Sequence, residues 1–146
     1  MLHLESKYLL KKIPLTVTKN RLKILSYFLK KKNPVSLKDI NKKFKDFDRV
    51  TLFRILSVFE KHKLIHSIIL ENGKKLFALC KNECRETNHH DYQNSINHNH
   101  KHVHFVCKEC DDVSCLDIDN FPSIQAPNYV FSEININVSG ICSKCI

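Results

Sequence analysis

Glycine is almost missing from this chain, with two residues in 146, Gly73 and Gly140. So scarce a residue is expected only where a tight turn demands its freedom. Long apolar runs are missing too. No stretch of about 18 apolar residues occurs, so no segment reads as a membrane-spanning helix. No leader is visible, because Met1-Leu2-His3-Leu4-Glu5 runs straight into charged sequence. The expectation is a cytoplasmic protein with no membrane association. Two enzyme signatures are also lacking, H-E-x-x-H and the deaminase H-x-E…P-C-x-x-C. A non-enzyme without a small-molecule substrate is expected, and a catalytic zinc protein is the weak competitor.

Acidic residues are scarce in one half only. Residues 1–81 hold 20 Lys/Arg against 6 Asp/Glu, a net of +14, whereas residues 82–146 hold 4 against 9, a net of −5. A basic half suits a polyanion; the other half has a different task.

That other half carries the strongest motif. Cys107-Lys-Glu-Cys110 and Cys142-Ser-Lys-Cys145 are two C-x-x-C pairs. Cysteines three positions apart can turn both sulfurs into one tetrahedral site, and two such turns complete it. The 31 residues between the pairs exceed the roughly 15–20 of a compact zinc ribbon. A further element must lie between them, and the structural zinc becomes a clip inside a larger domain. A disulfide is the alternative, and a reducing compartment argues against it.

In the basic half, residues 4–12 read as a short helix. Thr18 is placed to cap a second, with Leu22, Leu25, Phe28 and Leu29 at helical spacing. Ser36 caps a third over 37–45, and Asp48 caps the longest over 49–62. Then Leu64–Leu70 and Lys75–Leu79 flank Asn72-Gly73, a hairpin signal. Helices followed by a hairpin spell a winged helix-turn-helix, which presents one helix end to the DNA major groove. Arg49, Thr51 and Arg54 lie near the start of the fourth helix. Arginines there suit guanine edges or phosphates, while Lys19, Arg21, Lys42, Lys43 and Lys45 suit the backbone. A helical protein–protein module with solvated lysines is the alternative.

Residues 81–101 have no apolar periodicity and read as a hinge or insertion. Beyond them, His102-Val103-His104-Phe105-Val106-Cys107 reads as a strand, which puts His102 and His104 on one face. Cys80 closes the hairpin, His66 lies on its first strand, and Cys115 follows the first C-x-x-C. Imidazole and thiolate donors favour zinc over iron or manganese. A solvated His-rich linker is the alternative, and it suits His89, His90 and His98 best.

These features, in this order, resemble the ferric uptake regulator superfamily over nearly the whole chain. The resemblance is carried by Leu15-Thr16 and Arg21, by Thr51-Leu52-Phe53-Arg54 and by the Asn72-Gly73 wing. It continues with His102-x-His104 before the first C-x-x-C and with Gly140-Ile141-Cys142-Ser143-Lys144-Cys145. It implies a metal-responsive repressor that binds operator DNA as a homodimer. The implied fold is α+β: a winged-helix domain in 1–81, a hinge in 82–101, and a small α/β dimerisation domain in 102–146 with a four-cysteine zinc site. Strands are expected over 102–107 and 129–138, with a short helix.

Position by position the chain is most similar to the zinc uptake regulator branch. That likeness implies a regulatory site from His66, Cys80, His102, His104 and Cys115, with His100 or Cys84 as other candidates to complete it. The regulatory metal would be Zn2+, with Fe2+ or Mn2+ in an iron- or peroxide-sensing alternative. A metal-storage or metallochaperone protein is the reading from another class. Departures from the family pattern are Asp111 for a glycine, Phe53 for a tyrosine, Asn33 for a histidine, and Lys101 and Val103 at an ancillary metal site.

Overall fold

Three capped helix starts organise the first part of the computed structural model, which describes residues 1–80, 102–120, 122–131 and 134–146. Thr18 accepts from the Arg21 N–H at 3.3 Å and opens α2, Lys19–Lys30. Ser36 and Asp39 form a reciprocal capping box at the head of α3, Leu37–Lys43. Asp48 accepts from the Thr51 N–H at 2.8 Å and opens α4, Arg49–Lys61. Each cap satisfies a backbone donor that the first helical turn leaves open. Helix α1, Leu2–Lys12, has no side-chain cap; Ser6 holds it to α2 through the Ser26 hydroxyl at 2.7 Å.

The chain forms two compact units, Met1–Cys80 and Lys81–Ile146. In the first, Leu10, Ile24, Leu25, Phe28, Ile40, Leu52, Phe59 and Leu64 are buried in one core between the helices and a sheet. That sheet has the order β1-β3-β2, all antiparallel, with β1 Val35–Ser36, β2 Ile65–Ile69 and β3 Lys75–Leu79. The two-residue β1 is too short to read from alternation. The β2–β3 hairpin closes through Leu70 N–H to Lys74 O at 3.0 Å and Gly73 N–H to Leu70 O at 2.8 Å. Gly73 has φ +78°, the left-handed conformation that glycine adopts without steric cost. Glu60 of α4 accepts from the Ser67 hydroxyl on β2 and lies 3.7 Å from Lys75 of β3. These polar ties fix the hairpin to α4. Tyr27 of α2 meets Phe44 edge to face at 5.4 Å, and Phe44 meets Phe47 in a tilted contact at 5.2 Å beside the α3–α4 turn. The unit is a winged helix.

The second unit holds a sheet of order β5-β4-β6. Strand β4, His102–Cys107, pairs antiparallel with β5, Val113–Asp117, and parallel with β6, Asn137–Gly140. The strand expected over 129–138 is therefore misplaced. Residues 129–131 are not in a strand, and the third strand of this sheet begins at Asn137. Its position is set by Phe105↔Val138 and Cys107↔Gly140 pairing. Strand β5 was not expected, and the expected short helix does not fall among the described residues. Gly140 is not in a turn but ends β6, where a Cβ would sit 3.3 Å from the Phe105 ring, a tight contact that the ring would have to relieve by a small shift. The hinge expected over 82–101 lies outside the described residues.

Candidate metal centre and nucleic-acid interface

Strand register brings the two C-x-x-C turns together. Cys107 ends β4, and its N–H donates to Asp112 O at 2.9 Å while Asp111 N–H donates to Cys107 O at 3.0 Å. Asp111 takes φ +57° to make this turn, a conformation that Asp tolerates better than most residues and glycine better still. That explains how the chain manages without a glycine here. On the other side, Lys108 N–H donates to Gly140 O at 2.8 Å, which extends the β4–β6 ladder past Cys107. The chain leaving β6 is thereby delivered to the first turn, and Cys142 N–H points at Cys107 Sγ at 3.4 Å. Cys145 N–H closes the second turn on Cys142 O at 2.9 Å.

All four sulfurs lie within 4.8 Å of one another, and Cys110 Sγ and Cys142 Sγ are 3.7 Å apart. Four sulfurs about 2.3 Å from a central ion sit about 3.8 Å apart along the tetrahedron edges. The spacing therefore fits one metal ion and exceeds an S–S bond of about 2.0 Å. No disulfide joins the described cysteines. Backbone N–H groups of Cys110 and Cys142 hold the Cys107 thiol down at about 6. Hydrogen bonding with the Cys142 and Cys110 side chains pushes Cys145 up to about 12. Crowded sulfurs thus share protons, and a divalent cation would replace them.

The remaining expected ligands fall into one pair per unit. In the first unit, Cys80 N–H donates to Leu64 O at 2.9 Å, which continues the hairpin pairing by one residue. Cys80 Sγ then lies 3.4 Å from His66 Nδ1, and both side chains are buried. In the second unit, His104 of β4 stands directly opposite Cys115 of β5, and His104 is buried. The backbone of His102 pairs with Asp117. Cys84, His89, His90, His98 and His100 lie outside the described residues.

At the other face of the winged helix, Arg49 and Arg54 are exposed on α4 beside Val50 and Phe53, the latter 67% exposed. An exposed phenylalanine on a helix is costly in water. Thr51 turns back on the helix cap: its hydroxyl donates to Asp48 Oδ2 at 2.5 Å and stiffens the helix start. That bond and the Thr51 N–H keep the Asp48 carboxyl below its ordinary range. Arg21 donates from Nη1 to Thr16 O at 2.7 Å, which ties its guanidinium to the segment before α2. Lys42, Lys43 and Lys45 are exposed. Among the described residues no helix is long and apolar enough to cross a membrane.

Comparison with known proteins agrees with this geometry. The model of the Ferric uptake regulator family matches residues 12–94, more than half of the chain. The chain belongs to the ferric uptake regulator family. It is thus a DNA-binding metalloregulator of transcription and not an enzyme. Among solved structures it is similar to the ferric uptake regulator of Vibrio cholerae, at 24% identity and a TM-score of 0.57, covering 93% of this chain and 98% of that one. It is also similar to a zinc uptake regulator solved with zinc and DNA, at 16% identity and a TM-score of 0.63, covering 99% and 92%. A third is the ferric uptake regulator of Pseudomonas aeruginosa with manganese, at 18% identity and a TM-score of 0.59, covering 95% and 98%. At these identities the likeness is one of fold. No curated protein matches the chain by sequence.

Proposed function

We propose that this protein is a zinc-responsive repressor that binds operator DNA as a homodimer in the cytoplasm. The observation that carries the zinc reading is the buried Cys80–His66 pair, sulfur to Nδ1 at 3.4 Å. Thiolate with imidazole is a borderline-soft donor set, and the His104–Cys115 pair repeats it. His66, Cys80, His102, His104 and Cys115 form the sensing set. Iron and manganese bind better where carboxylates enter, and this set has none. The four-cysteine cluster holds a structural zinc, as its sulfur spacing supports.

Arg49 and Arg54 face the major groove, and Arg21 meets the phosphate backbone. Thr51 belongs to the interface through the helix end that it locks. The homodimer reading is supported by the small second unit, where Tyr129, Val130, Val138 and Ile141 are exposed. Metal and DNA then reinforce each other: an ion that favours the DNA-competent arrangement must bind more tightly when DNA is present. A coupling of roughly 1–3 kcal/mol switches affinity about 5–150-fold.

Duplex titrations at buffered free metal test this reading. Zinc should activate DNA binding at lower free concentration than Fe2+ or Mn2+. Activation by iron or manganese at the lower concentration would assign the protein to iron, manganese or peroxide sensing. Tight zinc binding with no sequence-specific duplex binding at any metal level would point to storage or delivery instead.

A further inference from the structure

The elements that precede α4 leave a recess between them. It lies between the end of α2, strand β1 and α3, encloses about 520 Å³, and is lined by Tyr27, Lys31, Asp39, Lys42 and Lys43 among others. Positions 39, 42 and 43 share one face of α3, because residues three and four apart on a helix are neighbours. Lys31 comes from the opposite wall, just past α2, with its Nζ 5.4 Å from the centre of the Tyr27 ring. Phe44 holds that ring edge to face. Lysines from two elements therefore converge on one concave spot.

The negative charge in the recess is already engaged. Asp39 is its one acidic group, and Asp39 Oδ2 accepts both the hydroxyl and the N–H of Ser36. Three lysines against one carboxylate leave the lining at a net of +2. Among the described residues none of the three lysines makes a salt bridge. Burial and the Asp39 charge push the Tyr27 hydroxyl above its ordinary value of 10.0, so it stays a donor.

In a helix-turn-helix the second helix enters the major groove while the first crosses the sugar-phosphate backbone. Here α3 is that first helix, since α4 follows it directly. Phosphate oxygens take a large share of protein–DNA hydrogen bonds, from lysine and tyrosine among others, and these contacts fix register without reading sequence. A recess that gathers three ammonium groups and a phenol hydroxyl suits one phosphate group set into it. We propose that this recess seats a backbone phosphate of the operator, with Lys31 and Tyr27 as contacts beyond those on α3 and α4. Such a seat positions α4 in the groove from outside the recognition helix. This inference rests on the operator-binding reading above.

The test uses the zinc-loaded full-length protein, a duplex selected on it from a random-sequence pool, and a scrambled duplex. Lys31→Ala should weaken both by the same factor and reduce the slope of log affinity against log salt by about 0.9, the loss of one phosphate contact. Tyr27→Phe should weaken both and leave that slope unchanged, because the hydroxyl carries no charge. Lys61→Ala, in the last turn of α4, removes the same charge as Lys31→Ala and should leave the slope unchanged. None of the three changes touches a buried residue, and melting temperatures check that folding is kept. Duplexes carrying one neutral methylphosphonate each then locate the contact. At one position in each half-site, neutralisation should weaken wild type and add no further loss to Lys31→Ala. Equal slope changes for Lys31→Ala and Lys61→Ala, or no phosphate coupled to Lys31, overturn the proposal. If no selected duplex outcompetes the scrambled one at any zinc level, the operator-binding reading fails and takes this inference with it. If the selected duplex is preferred and Lys31→Ala binds as wild type does, only the inference fails.

Discussion

Cys80 and His66 meet at the open end of the wing hairpin, sulfur to Nδ1 at 3.4 Å, fourteen residues apart in sequence. The meeting depends on backbone pairing that runs one step past β3, through Cys80 N–H to Leu64 O. A pair so buried is held ready for an ion at little further cost in side-chain ordering. Cys80→Ala should therefore abolish zinc-dependent DNA affinity while the four-cysteine site keeps its metal. Zinc content and duplex affinity, measured on the same preparation, check this; a variant that still responds to zinc removes Cys80 from the sensing set.

The four-cysteine cluster makes a separate prediction. Cys142 contributes both a sulfur 3.7 Å from Cys110 and an N–H aimed at Cys107. Cys142→Ser should lose about one zinc per chain and weaken dimerisation, because metal binding here is folding free energy for a small unit. Metal analysis with sedimentation at low protein concentration gives the answer. An intact dimer with unchanged zinc would contradict it.

For DNA, the fork of an exposed arginine reads base edges, whereas lysines mainly neutralise phosphate. Arg54→Ala should cost about 1–3 kcal/mol on a specific duplex and reduce discrimination against a scrambled one. Lys42→Ala or Lys43→Ala should weaken both duplexes alike and lower the salt dependence. Fluorescence anisotropy on the two duplexes at several salt concentrations separates these outcomes.

A fourth prediction concerns pH. The Ser36 hydroxyl and N–H both donate to Asp39 Oδ2, at 2.6 and 3.1 Å, and hold its carboxyl below the ordinary value of 3.8. A depressed folded value means that the ionised form is favoured in the native state. The stabilisation is therefore full above the unfolded value and is lost as pH falls through the folded one. Below about pH 4, wild type should lose stability more steeply than Asp39→Asn. Ser36→Ala should cost about 1 kcal/mol near neutrality as a lost helix cap. Urea unfolding at several pH values measures both.

Much of the first unit was legible because its signals are local. Thr18, Ser36 and Asp48 each announce a helix start by short side-chain chemistry. Asn72-Gly73 announces the hairpin because only a left-handed residue closes that turn. The C-x-x-C pairs were legible for the same reason, since each is one turn of backbone presenting two sulfurs. The bond from the Thr51 hydroxyl to Asp48 came from the coordinates, not from the residue's place on α4.

What the amino-acid order determined by itself was the set of locally encoded parts: capped amphipathic helices, a wing, two metal-binding turns and a basic half. Tertiary structure decided how distant parts meet. The parallel β4–β6 pairing joins residues about thirty apart, so no short-range periodicity can place β6, and the strand expected over 129–138 begins too early. Its register instead pairs Phe105 with Val138 and Cys107 with Gly140, and that brings the Cys142 N–H to 3.4 Å from Cys107 Sγ. Strand β5 likewise exists only as the partner of β4, and with it comes the Cys115 position. Side chains that meet across a ladder are chosen by register, and register is a property of the folded sheet.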